Sequence, residues 1–368
     1  MGTQVRVGII GTSWWPELMY LPSLASHPDA RLAAICGRDQ ARAGALAEKW
    51  RIPAVHSDYR ALLARDDLDA VVVATPDDLH CAMTLAAVER GLHVMCEKPM
   101  AGTADDARRM FAAAESAGVK HMVLFTWRFM PHVRYLRQLV DQGRVGRVRQ
   151  MTAHFIADNA IDPAYQWRLD GKRANGVLGD LGSHLVDLFR HFVGDVTSVS
   201  ADLQQIVDRS GSPGPPSAPV NDCAFVTLRT ADGAQGMLHV SAASPSGGRQ
   251  ARLGFALHGD AGVLEAEHVF DGAEKVVRLR GTGPGMPLFE PLEVPAALLD
   301  GAAVDDIMGP FTRHSAGPRH FIDAIRDDLP IAMSFREGWR TQQVIDAALR
   351  SDRERRWIDV ADQPLSPP

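Results

Sequence analysis

The first residues suited to chemistry are Glu97, Lys98 and Pro99, which directly follow a short apolar run at residues 92–96. Two opposite charges and a proline at the end of a buried strand cost folding free energy, which suggests that they serve a function there. Lys98 is expected at the carboxyl end of a strand, where open α/β sheets bind ligands. Pro99 restricts Lys98 to extended backbone angles, so the direction of the lysine side chain is restricted as well. From these three residues alone, a polar strand-to-helix turn is the alternative interpretation.

A second candidate set lies on a helix predicted over residues 179–192. Asp180 and His184 are four residues apart, so they share one face of that helix, and the aspartate can orient the imidazole. The helix dipole favours a carboxylate in the first turn. One alternative is that the two side chains form an exposed pair on the helix surface and have no catalytic role. The other is a metal site, but so few ligands without a cysteine are a weak zinc signal, and no metal is predicted.

The elements that must position Lys98 follow an alternating pattern. Short apolar runs rich in β-branched residues alternate with helical segments, which predicts α/β architecture with a doubly wound parallel sheet over residues 1–127. The strands are predicted at residues 5–10, 31–36, 68–75, 92–96 and 119–125.

The loop after the first strand, GTSWWP, is a weak match to the dinucleotide fingerprint G-x-G-x-x-G. Gly11 is the first glycine, while Ser13 and Pro16 stand where the others belong. Ser13 can still offer its backbone N–H to a phosphate, and Trp14 adds bulk that is expected to cover a cofactor. An ordinary tight turn is the alternative.

The end of the second strand bears on the choice of cofactor. Gly37 stands where NAD enzymes place an acid for the ribose 2′-hydroxyl, and Arg38, which suits a 2′-phosphate, follows it. NADP is therefore predicted, with NAD as the alternative. Arg38 is otherwise a solvated surface charge, and Asp39 is predicted to cap the next helix.

The pattern changes in a second predicted domain, residues 128–368. Strand-like runs separated by turn residues predict a mostly antiparallel sheet. An amphipathic helix is predicted over 334–351, where it could pack back on the first domain, and residues 209–219 are predicted to be an irregular loop. The strand-like runs lie at 147–158, 223–230, 234–243, 251–259, 262–270 and 274–281.

Composition narrows the function classes. The net charge of -6 argues against nucleic acid or an anionic membrane as a partner. No apolar run reaches the roughly 18 residues of a membrane span, and no signal segment precedes the first strand. The four cysteines lack CxxC spacing, which favours buried thiols in a reduced, cytoplasmic protein.

Three stretches together resemble the glucose–fructose oxidoreductase / inositol dehydrogenase family (Gfo/Idh/MocA). They are ATPDDLH (74–80), GLHVMCEKP (91–99) and NGVLGDLGSHLVDL (175–188). The resemblance implies an N-terminal Rossmann domain. It also implies a C-terminal α/β domain with an open, mostly antiparallel sheet that is often used for oligomerisation, so a homodimer or homotetramer is expected.

The resemblance also implies roles for individual residues. Lys98 matches the family's catalytic lysine, and Asp180 and His184 match its D-x-x-x-H pair. The Lys98–Pro99 bond is expected to be cis. Residues expected near the cofactor or substrate are Thr75, Pro76, His80, Glu97, Arg128, Trp167 and Arg168.

The expected function is hydride transfer between nicotinamide and a carbon of a sugar, inositol or related cyclic polyol. His184 would act as general acid/base with Lys98 and Asp180. One alternative is a glycoside-cleaving enzyme that uses transient oxidation. The other is a non-catalytic dinucleotide sensor or corepressor, for which three such catalytic residues would have no use.

Overall fold

The chain divides into two compact units in its computed structural model, which describes residues 4–210, 218–247, 251–270, 276–303, 306 and 308–360. Unit 1 comprises Met1–Phe129 and Asp300–Trp339, and unit 2 comprises Met130–Leu299 and Arg340–Pro368. The first break lies close to the predicted boundary at residue 127. The prediction nevertheless placed residues 300–339 in the second domain, whereas they belong to unit 1.

The N-terminal segment alternates strands and helices. Its strands are β1 Val5–Ile10, β2 Ala30–Cys36, β3 Val55–His56, β4 Ala70–Val73, β5 His93–Glu97 and β6 His121–Leu124. Its helices are α1 Trp14–Leu18, α2 Tyr20–Ala25, α3 Gln40–Trp50, α4 Tyr59–Leu63, α5 His80–Glu89 and α6 Ala104–Ala117, with short 3-10 turns at Asp77–Leu79 and Thr126–Phe129.

These strands form a parallel sheet in the order β3-β2-β1-β4-β5-β6. The predicted doubly wound architecture is confirmed. Strand order reverses between β1 and β4, which is where open α/β sheets form a ligand crevice. Sequence pattern missed β3 and α4 because both are too short for a periodic signal.

Helix starts in unit 1 follow local sequence. Asp39 accepts a hydrogen bond from the Arg42 N–H at 3.0 Å, and Thr103 accepts one from Asp106 at 3.2 Å, so both side chains cap helices. Pro16 occupies the short helix α1 and is buried. Asp39 acts on its own turn, which explains why its capping role could be predicted from sequence.

The middle segment builds unit 2. It contains α7 Pro131–Asp141, β7 Val148–Ala157, α8 Ser183–Phe192, β8 Val196–Gln204, β9 Cys223–Thr230, β10 Gln235–Ser241, β11 Ala251–Gly259, β12 Val263–Phe270, β13 Val276–Gly283 and β14 Met286–Pro291. Short 3-10 turns lie at Trp167–Leu169 and Ala296–Leu298, and a π-helical turn lies at Leu178–Gly182. The C-terminal segment contains a 3-10 turn Gly309–Phe311, α9 Ala316–Arg326, α10 Phe335–Glu354 and β15 Ile358–Asp359.

Unit 2 is organised by a sheet in the order β14-β13-β12-β11-β7-β10-β9-β8-β15. Neighbouring strands are antiparallel except β10 and β7, which are parallel. The mostly antiparallel prediction is confirmed. One face carries Phe225 and Met237, which are 52% and 57% exposed. The predicted homodimer or homotetramer stays a prediction.

Residues 300–339 belong to unit 1 because they pack against its strands and loops. A Cβ on Gly317 of α9 would press against Leu124 of β6, and one on Gly338 of α10 would press against Met100. Phe335 stacks on His121 at a centroid distance of 4.9 Å. The predicted helix at 334–351 is thus confirmed as α10, and its first residues pack on unit 1.

Two further predictions concern the rest of the chain. Among the helices that the structure describes, none is both long and apolar enough to cross a bilayer. The predicted irregular loop at 209–219 falls largely on residues 211–217, which lie outside the described residues.

Candidate functional site

The end of β1 in unit 1 fits a dinucleotide-binding turn. Gly11 has a φ of +128°, and a Cβ there would collide with the carbonyl oxygen of Ala74, which follows β4. This close approach of two strand ends requires glycine and lies at the switch point of the sheet. Ser13 and Trp14 are exposed beside it, with Trp14 61% exposed. The residues present therefore fit a nicotinamide dinucleotide.

Glu97 joins this loop to the strand that carries Lys98. One carboxylate oxygen accepts hydrogen bonds from the Trp15 indole N–H and the Tyr20 hydroxyl, both at 2.5 Å. The other accepts the Lys98 backbone N–H at 3.0 Å. Burial, together with the Glu97 carboxylate, holds the pKa of Tyr20 well above its usual value, so this hydroxyl donates. The predicted cofactor residue Glu97 is thus buried, and its hydrogen bonds connect the segment after β1 with the backbone of Lys98.

Lys98 itself is half-buried at the end of β5, as the sequence predicted, and the Lys98–Pro99 bond is cis, which confirms that expectation. Thr75 and Pro76 lie at the end of the neighbouring strand β4 and are half-buried. Unit 1 thus brings the ends of β1, β4 and β5 together.

Two other predicted unit 1 residues have partners of their own. His80 is fully buried, and both ring nitrogens face backbone carbonyls, which leaves only neighbouring backbone for a cofactor contact. Arg128 forms an ion pair with Glu337 at 3.2 Å, and its side chain is only 12% exposed. The contacts predicted between these residues and a cofactor stay predictions.

Arg38 is exposed at the end of β2, next to the buried Gly37. A Cβ on Gly37 would collide with the side chain of Thr12. The Thr12 carbonyl in turn accepts a hydrogen bond from the Arg42 guanidinium. Any side chain at residue 37 would therefore require the Thr12 side chain to move.

Asp180 in unit 2 lies on the π-helical turn Leu178–Gly182 that precedes α8. The predicted α-helix from residue 179 is corrected here, because the α-helical part begins at Ser183. A π turn widens the backbone, so the spacing of an ideal α-helix, which was assumed for Asp180, is altered at this residue. Such turns occur frequently at functional sites.

Asn221 holds the start of this turn. Its side-chain oxygen accepts the Leu178 N–H at 2.9 Å, and its amide donates to the Asn175 carbonyl at 3.0 Å. Gly176 has a φ of +64°, and a Cβ there would collide with the Asn221 carbonyl. Asn221 therefore positions Asp180, and no local signal in the sequence revealed it.

A small pocket adjoins this turn within unit 2, and Arg168 and Asp180 are among its lining residues. Arg168 stacks over the Trp167 ring at 4.2 Å, and its Nε lies 3.5 Å from Asp180 Oδ1. Gln166 donates a hydrogen bond to the Asn159 carbonyl at 2.8 Å, and both residues line the pocket. Unit 2 thus brings together three predicted residues, Trp167, Arg168 and Asp180, and adds Asn159 and Gln166, which the sequence analysis missed.

The loops around the pocket are held by buried carboxylates. Asp222 is fully buried and pairs with Arg209 at 2.6 Å, and Arg209 also donates to the carbonyl of the pocket residue Ala160 at 2.5 Å. Asp170 accepts the Ala218 and Lys172 N–H groups. Burial raises the pKa of Asp170, but these two donors, the Tyr165 hydroxyl and the Lys172 charge together outweigh it, and the pKa lies below its usual value.

His184 is in the first turn of α8 and is 7% exposed, with Phe155 of β7 at a ring-centroid distance of 6.2 Å. It is thus a buried imidazole on an α-helix. Within the described residues, no group of three or more His, Cys, Asp or Glu side chains is arranged to hold a metal ion.

Comparison with known proteins finds a family match for each of the two units. The description "Oxidoreductase family, NAD-binding Rossmann fold" matches residues 5–125, and "GFO/IDH/MocA C-terminal domain" matches residues 133–265. The chain belongs to the Gfo/Idh/MocA oxidoreductase family. It is an NAD(P)-dependent oxidoreductase with an N-terminal Rossmann domain, as the resemblance implied.

Relatives within the Gfo/Idh/MocA family act on different substrates. The chain is 28% identical over 333 residues to levoglucosan dehydrogenase of Pseudarthrobacter phenanthrenivorans, with 83% of each chain covered. It is 29% identical over 365 residues to inositol 2-dehydrogenase of Rhizobium meliloti, covering 97% of this chain and 99% of that one. It is 39% identical over 195 residues to D-xylose 1-dehydrogenase (NADP(+)) 2 of Haloferax volcanii, covering 53% and 59%.

The fold of this family member is also similar to solved structures. Levoglucosan dehydrogenase in complex with NADH and levoglucosan matches with a TM-score of 0.80 at 26% identity, covering 98% of this chain and 100% of that chain. The match extends over the described parts of both units.

Proposed function

We propose that this chain transfers a hydride between a nicotinamide cofactor and a carbinol or carbonyl carbon of a neutral sugar, inositol or related cyclic polyol. The observation that supports the substrate class is the unit 2 pocket. Its charged lining residues, Arg168 and Asp180, face each other at 3.5 Å and balance. Asn159 and Gln166 add neutral polar groups to the lining, and such groups suit the hydroxyl groups of a sugar.

The proton chemistry is assigned to His184. A neutral imidazole is a suitable base near pH 7, so His184 would take the hydroxyl proton during oxidation and return it during reduction. When bound, the nicotinamide supplies the hydride acceptor or donor. Asp180 is assigned to orienting the His184 ring, and Lys98 to stabilising negative charge that develops on the reacting oxygen.

The experiment is a panel of neutral sugars, inositols and glycosides with the purified chain and either NADP⁺ or NAD⁺, read by the absorbance of reduced nicotinamide. Carboxylated counterparts of the same sugars serve as matched comparisons. We expect a signal with a neutral polyol and a weaker one with its acid. A preference for the acid would contradict the neutral class, and release of free sugar without net reduction would indicate the glycoside-cleaving reaction.

We also propose NADP as the preferred cofactor. An acid at residue 37 would require the Thr12 side chain to move, and the exposed Arg38 is available for a 2′-phosphate. Arg38→Ala should weaken NADPH binding about tenfold or more, since charge-assisted hydrogen bonds are strong, while NADH binding stays unchanged. Titration by nicotinamide fluorescence measures both, with Arg31→Ala at the other end of β2 as control. Equal loss for both cofactors would contradict the assignment.

A further inference from the structure

His80 occupies an unusual position in unit 1. It is the first residue of α5 and is fully buried. Its Nδ1 lies 2.9 Å from the carbonyl oxygen of Pro99, and its Nε2 lies 2.8 Å from the carbonyl oxygen of Thr75. One ring therefore links the backbone after β4 with the backbone after β5, the strand that precedes the proposed catalytic lysine.

The two contacts determine the protonation of the ring. A carbonyl oxygen only accepts hydrogen bonds, and a neutral imidazole has one donor and one acceptor nitrogen. A neutral ring would turn a lone pair toward one of the two carbonyls in a fully buried site, which is costly. Only the imidazolium, with two N–H groups, satisfies both carbonyls.

The surroundings agree with this geometry. Burial by itself lowers the pKa of a histidine, but the Cys96 side chain on β5 and the two carbonyls outweigh it, and the pKa of His80 is raised to about 9. Cys96 is the titratable group that faces the ring from β5.

We propose that His80 is an imidazolium that clamps the Thr75 and Pro99 carbonyls together and thereby positions Lys98. Lys98 lies between two fixed backbone points. Its own N–H is held by Glu97 at 3.0 Å, and the next carbonyl is held by His80. His80 is thus a positioning residue that acts through backbone. This inference rests on the role of Lys98 in the proposed function.

The protonation state is tested first, by nitrogen NMR of the full chain labelled with ¹⁵N-histidine, with the His80 signals assigned by their loss in His80→Gln. We expect both ring nitrogens to carry protons from pH 6 to pH 8. An unprotonated ring nitrogen at pH 7 would overturn the proposal. This readout needs no turnover, so it is independent of whether the proposed reaction is correct.

The positioning role is tested by kinetics on the polyol that the panel identifies. His80→Phe removes both donors, whereas His80→Gln keeps an amide with two N–H groups. We expect His80→Phe to lower kcat by roughly 10- to 100-fold, as small misplacements of a reacting group do, with the cofactor Kd changed less than about twofold. His80→Gln should recover part of kcat.

Thr84→Val is the matched control, because Thr84 is equally buried one turn further along α5 and its hydroxyl has no hydrogen-bond partner. It should leave kcat unchanged. Unaltered kcat in a folded His80→Phe variant would overturn the proposal. If that variant does not fold, His80→Gln and the NMR measurement decide.

Discussion

The two units hold their candidate chemical groups in different ways. In unit 1, Lys98 follows a strand, and its backbone is bracketed by Glu97 and by the carbonyl that His80 holds. In unit 2, Asp180 lies on a π turn that depends on Asn221, whose contact to Leu178 spans 43 residues of sequence. Strand ends of a parallel sheet place side chains by topology, while a turn in a mixed unit must be placed by distant partners.

The largest expected effect concerns the base that unit 2 is proposed to supply. His184→Ala should lower kcat by about 10²- to 10⁴-fold, the usual contribution of a positioned acid/base. Cofactor binding should stay intact, because we propose that the dinucleotide binds at the unit 1 strand ends. Steady-state kinetics and cofactor titration measure the two quantities. His191→Ala, later on the same helix, is the control. Near wild-type turnover of His184→Ala would contradict the proposal that unit 2 supplies the acid/base.

The next effect concerns the ion pair that holds the unit 2 loops. Asp222→Asn leaves the buried Arg209 charge without its partner and should lower the free energy of unfolding by about 3–5 kcal/mol. Denaturant unfolding measures it. Asp202→Asn is the control, since its pair with Arg355 is exposed and should cost at most about 1 kcal/mol. Similar small losses in both variants would show that long-range pairing does not stabilise these loops.

The pH dependence of stability should have opposite signs at two buried histidines. Burial lowers the pKa of His268 in unit 2 to about 3. Below the unfolded value of about 6.5 the unfolded chain binds this proton and the folded chain does not, so stability falls by about 2 kcal/mol between pH 6.5 and pH 5. His268→Leu should flatten that decline in thermal unfolding, whereas His258→Leu, a half-exposed histidine in the same sheet, should not.

His80 in unit 1 has the opposite sign. Its pKa is raised to about 9, so its contribution is fully present below the unfolded value of about 6.5 and is lost as pH rises through 9. Thermal unfolding of wild type and His80→Gln between pH 7 and pH 9.5 compares them. A wild-type curve parallel to that of His80→Gln would contradict a protonated His80.

The smallest effect tests the local character of unit 1. Thr103→Ala removes the cap of α6 and should cost about 1 kcal/mol in denaturant unfolding. Thr103→Ser keeps the hydroxyl and should retain most of the stability. Equal losses in the two variants would mean that the cap is not what the side chain contributes.

These contrasts explain what could be predicted from the sequence. Lys98 at a strand end and Asp39 at a helix start act within a few residues, so a local pattern reveals them. The π turn, the Asn221 contacts and the return of residues 300–339 to unit 1 depend on packing between distant segments. Periodicity carries no information about such pairings.

The most direct test of the proposed chemistry follows the hydrogen itself. The active polyol, deuterated at its carbon-bound positions, is incubated with the chain and the oxidised cofactor in ordinary water, and the reduced nicotinamide is analysed by mass spectrometry. The proposed reaction predicts one deuterium in each reduced nicotinamide and slower turnover than with unlabelled polyol. Reduced nicotinamide without deuterium would contradict direct hydride transfer from the sugar carbon.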